Sequence, residues 1–257
     1  MTDRKVKKVK YFKITLFLSC LFASLITNNV SAYDAAQATS LPSDKTQLPS
    51  GATRIYVDKK DPYLMIKKVA GKTFKRFADE QQAIQADPNV IKNIVREELM
   101  PYINYKYSAF KVIGKHLKNT TAQERKDFVP VFREYLVTSY AQVFTLYDNQ
   151  PVEFAPAKNF TDKKIVAVNT RIIMPGRDNI DVSFKVRRNR KTNDWKAFDM
   201  VAEGVSLLDS KQAELSGVIR QKGLPYVTEL LKKKSERNIV FKDRSASKKS
   251  VSKKSAE

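Results

Sequence analysis

Between residues 61 and 241 the spacing of apolar positions changes period twice, from 3.6 residues to 2 and back again. The first part reads as helices. Asp61-Pro62 is a cap followed by proline at the first helical position, where its missing N–H breaks no bond. Ile66, Val69, Ala70, Thr73, Phe74, Phe77 and Ala78 then share one face. Asp87-Pro88 repeats the start signal ahead of Val90, Ile91, Ile94, Val95 and Leu99, and Pro101 opens a further helix through Tyr102, Ile103, Tyr105, Phe110, Val112 and Ile113, ending near Gly114. Thr121 and Glu124 form a capping box at the head of the strongest periodic stretch: Phe128, Val131, Phe132, Tyr135, Leu136, Ser139, Tyr140, Val143, Phe144 and Tyr147. Pro130 inside this stretch predicts a kink or the true beginning of the helix.

Alternation follows. Val152 to Phe154 is a short strand, and Ile165 to Met174 a longer one with Val166, Val168, Thr170, Ile172 and Met174 on one face. Beyond the turn Pro175-Gly176-Arg177-Asp178, Ile180, Val182, Phe184 and Val186 alternate with Asp181, Ser183, Lys185 and Arg187, which predicts a strand with one wet face. Trp195 to Ala202 is a fourth strand, and Glu203-Gly204 ends it with a backbone turn that a Cβ would hinder. Two helices close the pattern, from about Asp209 to Gln221 and from Pro225 to about Arg237. Short connections make the strands an antiparallel meander, so the fold class is α+β: N-terminal helices, a twisted antiparallel sheet of about four strands, then C-terminal helices. The aromatic helix is the obvious cover for the apolar face of the sheet. Periodicity alone leaves open whether the two meet in a filled core or line an apolar pocket.

The ends of the chain have a different composition. Arg4, Lys5, Lys7, Lys8, Lys10 and Lys13 precede the apolar run Ile14 to Ile26, and Val30-Ser31-Ala32 supplies small residues before Tyr33. That is the layout of a cleavable secretory signal over residues 1–32, with a run too short to span a bilayer. The alternatives are an uncleaved signal anchor and a lipoprotein signal. The second fits poorly, because Cys20 lies inside the apolar run behind Phe17 and Leu18. Residues 33–60 form a polar, flexible lead-in, 61–241 one compact domain, and 242–257 a basic, low-complexity tail expected to be disordered.

Export changes the meaning of the charge. The chain carries +21, of which residues 1–32 hold six bases and one acid, leaving +16 on the mature part. Outside the cytoplasm the abundant polyanions are lipid headgroups rather than nucleic acid, although plain solubility would use the same lysines. The one cysteine lies in the signal, so the mature chain has no disulfide. With a single histidine, His116, expected at the surface or in a cap, and only seven glycines, no His-based metal cluster, Ser-His-Asp or Cys-His set, or phosphate-binding glycine loop stands out. The reading is not an enzyme, with no cofactor and no metal.

Three blocks carry a resemblance. Glu97-Glu98-Leu99-Met100-Pro101-Tyr102, Lys106-Tyr107 and Val112-Ile113-Gly114 resemble the E-L-L-P-Y, K-Y and V-L-G block of the MlaC, or toluene-tolerance, family. Phe132-Arg133-Glu134-Tyr135-Leu136 with Tyr140 is similar to its F-R-E-Y-L helix, and Trp195 to Ser206 to its W-x-A-Y-D-M-I-A-E-G-V-S signature, with Phe198 in place of the usual tyrosine. The resemblance implies a periplasmic phospholipid carrier, expected to be a monomer, that holds lipid as cargo between sheet and helices. It would shuttle phospholipid between an outer-membrane lipoprotein complex and an inner-membrane ABC transporter bearing an MCE-domain ring, maintaining outer-membrane lipid asymmetry, with no role for nucleic acid. The Lys/Ser tail is an addition that the family does not explain.

Positions expected to face the sheet–helix interface and touch lipid are Val112, Phe128, Phe132, Tyr135, Tyr140, Val143, Phe144, Val166, Val168, Ile172, Phe184, Val186, Trp195, Phe198, Met200 and Val205, some of them as plain core. Lys106 and Arg133, inside matched blocks, are headgroup candidates. Two other classes compete: a periplasmic binding module for another apolar small molecule, marked by a polar cluster in the pocket, and a cationic adhesion or nucleic-acid-binding protein, marked by steep salt dependence.

Overall fold

The computed structural model describes residues 56–241 apart from Arg177. The signal, most of the lead-in and the basic tail lie outside the described residues. The Asp61 carboxylate accepts hydrogen bonds from the N–H groups of Tyr63 (2.8 Å) and Leu64 (3.0 Å), and α1 (Pro62–Asp79) begins there as the sequence indicates. After the short α2 (Gln81–Ala86) and α3 (Val90–Ile94), the expected second helix does not stay regular. It widens into a π-helical turn, Val95–Leu99, and tightens into a 3-10 turn, Met100–Tyr102. Pro101 has no N–H to donate to the carbonyl four residues back, which removes one bond of the α-ladder where the helix changes its winding.

Pro101 does not open a long helix either. Ile103 bridges Ala197 in parallel and the Asn104 N–H donates to the Ala197 carbonyl (2.7 Å), so this stretch is held along a strand edge. Pairing overrides helix propensity here, and α4 (Tyr105–Ile113) starts only at the Asn104 cap. The capping box before α5 (Ala122–Phe144) is present in both directions: Glu124 N–H to Thr121 Oγ1 at 3.1 Å, Thr121 N–H to Glu124 Oε2 at 2.6 Å. Pro130 lies inside α5 and does not mark its beginning; it is exposed, so the carbonyl that lacks a partner is on the solvent side of the helix.

The sheet is an antiparallel meander in chain order: β1 (Val152–Phe154), β2 (Ile165–Ile172), β3 (Ile180–Arg188), β4 (Trp195–Ala202) and β5 (Val205–Ser206). It has five strands where about four are expected. The fifth is made by the two-residue turn Glu203-Gly204, whose residues both have positive φ (50° and 81°), the requirement of a tight I′ hairpin. Met174, expected at the end of β2, falls beyond it. The last helix, α6 (Leu207–Ser235), is broken at Gly223 (φ 79°) just before Pro225, which reproduces the two expected segments.

Cross-strand partners share a face, so the register sorts the apolar face of the sheet into rows. Val166, Val186 and Ala197 form the first; Val168, Phe184 and Met200 the second; Phe154, Thr170, Val182, Ala202 and Val205 the third; Val152, Ile172 and Ile180 the fourth. On the other face Ala167, Asn169 and Arg171 of β2 are exposed, as the alternation predicts.

Three packed clusters stabilise the described residues. The first joins α4, α5 and α6 around Val112, Phe128, Phe132, Leu215 and Leu231. The second packs Met65, Ile66 and Val69 of α1 onto the first two rows of the sheet with Trp195. The third gathers Phe77, Ile91, Ile94, Val137, Ala141 and Ile239. Leu99 and Ile103 border both the second and the third.

Candidate functional site

The two ends of α1 are fixed by different chemistry. At its start the Trp195 N–H donates to the Lys59 carbonyl (2.8 Å), the Lys60 ammonium reaches the Asp194 carboxylate (2.8 Å), and the Val57 N–H donates to the Tyr102 hydroxyl (2.6 Å). At its far end Arg76 spreads over Glu80 (2.7 Å), Glu97 (2.6 Å) and Glu98 (3.3 Å). Burial opposes the Arg76 charge, but hydrogen bonds to Glu80 and Glu97 outweigh it and raise its pKa. Glu97 and Glu98 belong to the π-turn, whereas Glu80 caps α1 itself, so this network joins the end of α1 to that turn.

Between those ends α1 passes over the sheet. Its first half fills the first two rows. Met174, Val182 and Ala202 are buried as well, yet they belong to none of the three packed clusters. Ile172, Met200 and Val205 beside them are half-buried. The helices contribute a matching set of half-buried side chains. Leu136, Tyr140, Phe144 and Tyr147 recur at helical spacing along one face of α5 and its last turn. Phe74 of α1 stacks on Tyr147 (4.4 Å between centroids) and meets Phe144 edge-on at 6.5 Å.

Tyr140 is the informative member of that face. Its hydroxyl is pushed up to about 12 by desolvation first, then by the charges of Asp199 and Tyr135, while the residue as a whole keeps accessible surface. Asp199 itself is fully engaged: its carboxylate is 2 % exposed, pairs with Lys185 (2.8 Å), and accepts from Ser206 Oγ (2.8 Å) and the Leu208 N–H (3.1 Å). Ser206 caps α6, so Asp199 ties β4 to the start of that helix.

The residues expected to touch lipid fall into separate groups. Val112, Phe128, Phe132, Tyr135 and Phe198 sit in the helical cluster, and Val166, Val168, Val186 and Trp195 under α1, with Phe184 at the margin. Tyr140 and Phe144 border the third cluster, away from the Val168 group. Ile172, Val143, Met200 and Val205 are half-buried outside the clusters. Lys106 is exposed on α4 with its ammonium 6.0 Å from the Phe110 ring. Arg133 pairs with Glu134 and lies 5.9 Å from the Tyr105 ring, three residues before Leu136 on the same α5 face. The sequence list omits Phe74, Thr170, Val182 and Ala202, although Thr170 and Val182 are in phase with their chosen neighbours Val168 and Phe184.

His116 is buried rather than superficial. Its Nε2 lies 2.8 Å from Ser216 Oγ, linking the turn after α4 to α6, and no carboxylate is hydrogen-bonded to its ring among the described residues. Among the described residues no group of His, Cys, Asp and Glu is arranged to hold a metal, and no helix is long and apolar enough to cross a membrane.

The family model described as MlaC protein matches residues 67–233. This chain belongs to the MlaC family. It is 32% identical over 190 residues to the intermembrane phospholipid transport system binding protein MlaC of Haemophilus influenzae, covering 74% of this chain and 89% of that one. A phospholipid-binding protein from Ralstonia solanacearum, solved in complex with a phospholipid, shares the fold with a TM-score of 0.60 at 17% identity, over 68% of this chain and 97% of that one. The three sequence blocks all lie within the matched stretch.

Proposed function

We propose that this protein is a periplasmic phospholipid carrier, and that its cargo lies between the third and fourth rows of the sheet and the Phe74, Tyr140, Phe144 and Tyr147 wall. The observation that carries this reading is the mismatch between burial and packing: Met174, Val182 and Ala202 are out of water without joining a packed cluster. Tyr140 adds to it, with a desolvated hydroxyl on a residue that still has accessible surface, as a side chain bordering an internal space would. Transfer of an acyl chain is worth about 0.8 kcal/mol per CH₂, so a carrier must enclose most of each chain and leave the hydrated headgroup at the mouth. The names of the Haemophilus influenzae relative and of the Ralstonia solanacearum protein support a phospholipid as the ligand.

In this reading the secretory signal delivers the chain to the periplasm. The mature protein exchanges lipid with an outer-membrane lipoprotein complex and with an inner-membrane MCE-domain ABC transporter, and so maintains the lipid asymmetry of the outer membrane. Arg133, at one end of the α5 face, is the better placed of the two headgroup candidates. A binding module for another apolar small molecule, which a polar cluster in the pocket would mark, is less well supported, since Asp199 is already satisfied by Lys185, Ser206 and Leu208. Mass spectrometry of organic extracts from the mature protein, purified from a bacterial host, tests the proposal. About one diacyl phospholipid per chain is expected, and extracts with no lipid above a control protein overturn it.

A further inference from the structure

The hairpin of β3 and β4 sets like charges where a sheet ordinarily pairs opposite ones. Arg187 stands directly across from Ile165 of β2 and Lys196 of β4, one step beyond the first row and on the face away from α1. Cations opposed across a ladder repel each other, so this pairing works against the stability of the sheet. A third cation arrives from the lead-in, because the bond from the Trp195 N–H to the Lys59 carbonyl (2.8 Å) fixes Lys59 next to the residue that precedes Lys196. Burial first, then the Lys59 charge, lowers the pKa of Lys196 against the pull of Asp194.

No local carboxylate relieves the repulsion. Every acid between Ile180 and Ala202 is already employed: Asp181 by Arg171 (2.7 Å), Asp194 by Lys60 (2.8 Å) and Asp199 by Lys185 (2.8 Å). Among the described residues, none of Lys59, Arg187 and Lys196 forms an ion pair with a carboxylate. All three are half-buried, and rings hold two of them in place: the Arg187 guanidinium lies 4.6 Å from the Tyr107 ring and the Lys59 ammonium 5.2 Å from that of Tyr102. Arg188 fixes the neighbouring loop, donating to the carbonyls of Phe160 (2.8 Å) and Lys163 (2.7 Å). Exposed Lys163, Lys164, Arg190 and Lys191 extend the positive charge on either side, and Ile165, 46% exposed, is an apolar point within it.

An apolar centre with a charged rim is the make-up of a protein interface, and electrostatic complementarity assigns the opposite sign to the partner. Cations held at fixed positions suit the fixed carboxylates of a folded surface. Mobile lipid headgroups would be met as well by flexible lysines and would gain nothing from a like-charge pair built into a ladder. We propose that Lys59, Arg187 and Lys196, beside Ile165, form the docking surface for an acidic patch on a protein with which the carrier exchanges lipid, whose carboxylates supply the missing counter-charge. The inference rests on the lipid-carrier reading for the identity of that partner.

Interferometry with the mature chain tests it against two protein probes, the solubilised inner-membrane MCE-domain transporter and the outer-membrane lipoprotein complex of the same organism, and against vesicles of phosphatidylcholine with phosphatidylglycerol. Binding to at least one protein probe is expected, weakening with added salt. Lys196→Glu turns the like-charge pair into an opposite one, so its melting temperature should hold or rise while its affinity for that probe falls at least about tenfold. Arg187→Gln should weaken binding in the same direction, and Lys118→Glu, an equal charge change at an exposed lysine after α4, should leave it within about twofold. Binding to neither protein probe, unchanged affinity in Lys196→Glu and Arg187→Gln, an equal loss in Lys118→Glu, or Lys196-dependent binding to the vesicles alone overturns the docking surface. Phospholipid extracted from the same preparations reads the carrier proposal separately: charge-dependent docking by a chain that carries no lipid supports the surface and overturns only that proposal.

Discussion

Two valines on the same face of the sheet separate a lined space from a filled core. Val168 is 1% exposed and packs in the cluster of Met65, Ile66 and Val69. Val182 is 8% exposed, one row further along, and belongs to no cluster. In Val168→Glu the new carboxyl has no room for water. Keeping it protonated at neutral pH, nearly three units above its ordinary ~4.3, costs about 4 kcal/mol, and the longer side chain adds about 1–3 kcal/mol of overpacking. The sum approaches the whole stability of an ordinary domain, ~5–15 kcal/mol. That variant should be largely unfolded.

Val182→Glu places the same group beside Thr170 and Ala202, where the proposed lipid space lets the carboxylate hydrate. The cost should then stay near about 2 kcal/mol, and the domain should fold but lose its lipid, since acyl chains cannot share the space with a hydrated charge. Circular dichroism melts and phospholipid extraction on the two variants read the outcome. If Val182→Glu unfolds as completely as Val168→Glu, the third row is filled core. If it folds with a full complement of lipid, the third row does not border the cargo. Either result refutes the placement.

Two further outcomes follow from the helical wall and its tether. Tyr140 ionises at about 12 in the folded chain and near 10 when unfolded, so the unfolded state loses its proton first and stability falls as pH rises from about 10 to 12, by up to ~2.7 kcal/mol. Urea titrations at pH 8 and 11.5 should show a smaller alkaline loss in Tyr140→Phe, and an identical loss would place the phenol in water. Arg76→Met leaves Glu80, Glu97 and Glu98 without their shared cation and should cost about 2–3 kcal/mol in urea unfolding; a change below about 0.5 kcal/mol would show the network to be decoration.

The helices and strands were legible because their signals are local. Asp61, Thr121 with Glu124, and Glu203-Gly204 each act within four residues, and each appears in the structure as the sequence indicates. What fails is non-local. The stretch after Pro101 has helical periodicity, but Ile103 and Asn104 pair with Ala197 almost a hundred residues later, and no window of sequence shows that partner. The site was legible only in part for the same reason. Alternation identifies Val168 and Val182 as facing inward together, yet which of them α1 covers depends on where the ends of α1 are tied, by Asp194 and Trp195 at one end and Glu97 and Glu98 at the other. Phe128 and Phe132 have the same apolar spacing as Tyr140 and Phe144, but the first pair meets α4 and α6 while the second borders the third cluster, Phe144 against Phe74 and Phe77 of α1.

On the proposed placement of the cargo, that arrangement of ties is what keeps an apolar space open beside so many aromatic rings. Hydrophobic burial alone favours collapse, which would bring Phe74 and Phe77 down onto Val182 and Ala202. Collapse would require α1 to tilt or translate, and both of its ends resist. At the start, tilting breaks the Trp195 to Lys59 bond and uncovers Met65 and Val69 from the first row; at the far end it pulls Arg76 from carboxylates fixed in a π-turn. The rings are also held sideways, Phe74 on Tyr147 and Phe77 on Phe144 (4.9 Å), so they are already satisfied by each other. On the proposed placement, a helix fixed at both ends, with Phe74 and Phe77 engaged along the wall, spans the third and fourth rows without filling them, and the three packed clusters would keep the domain folded whether or not a lipid occupies the gap.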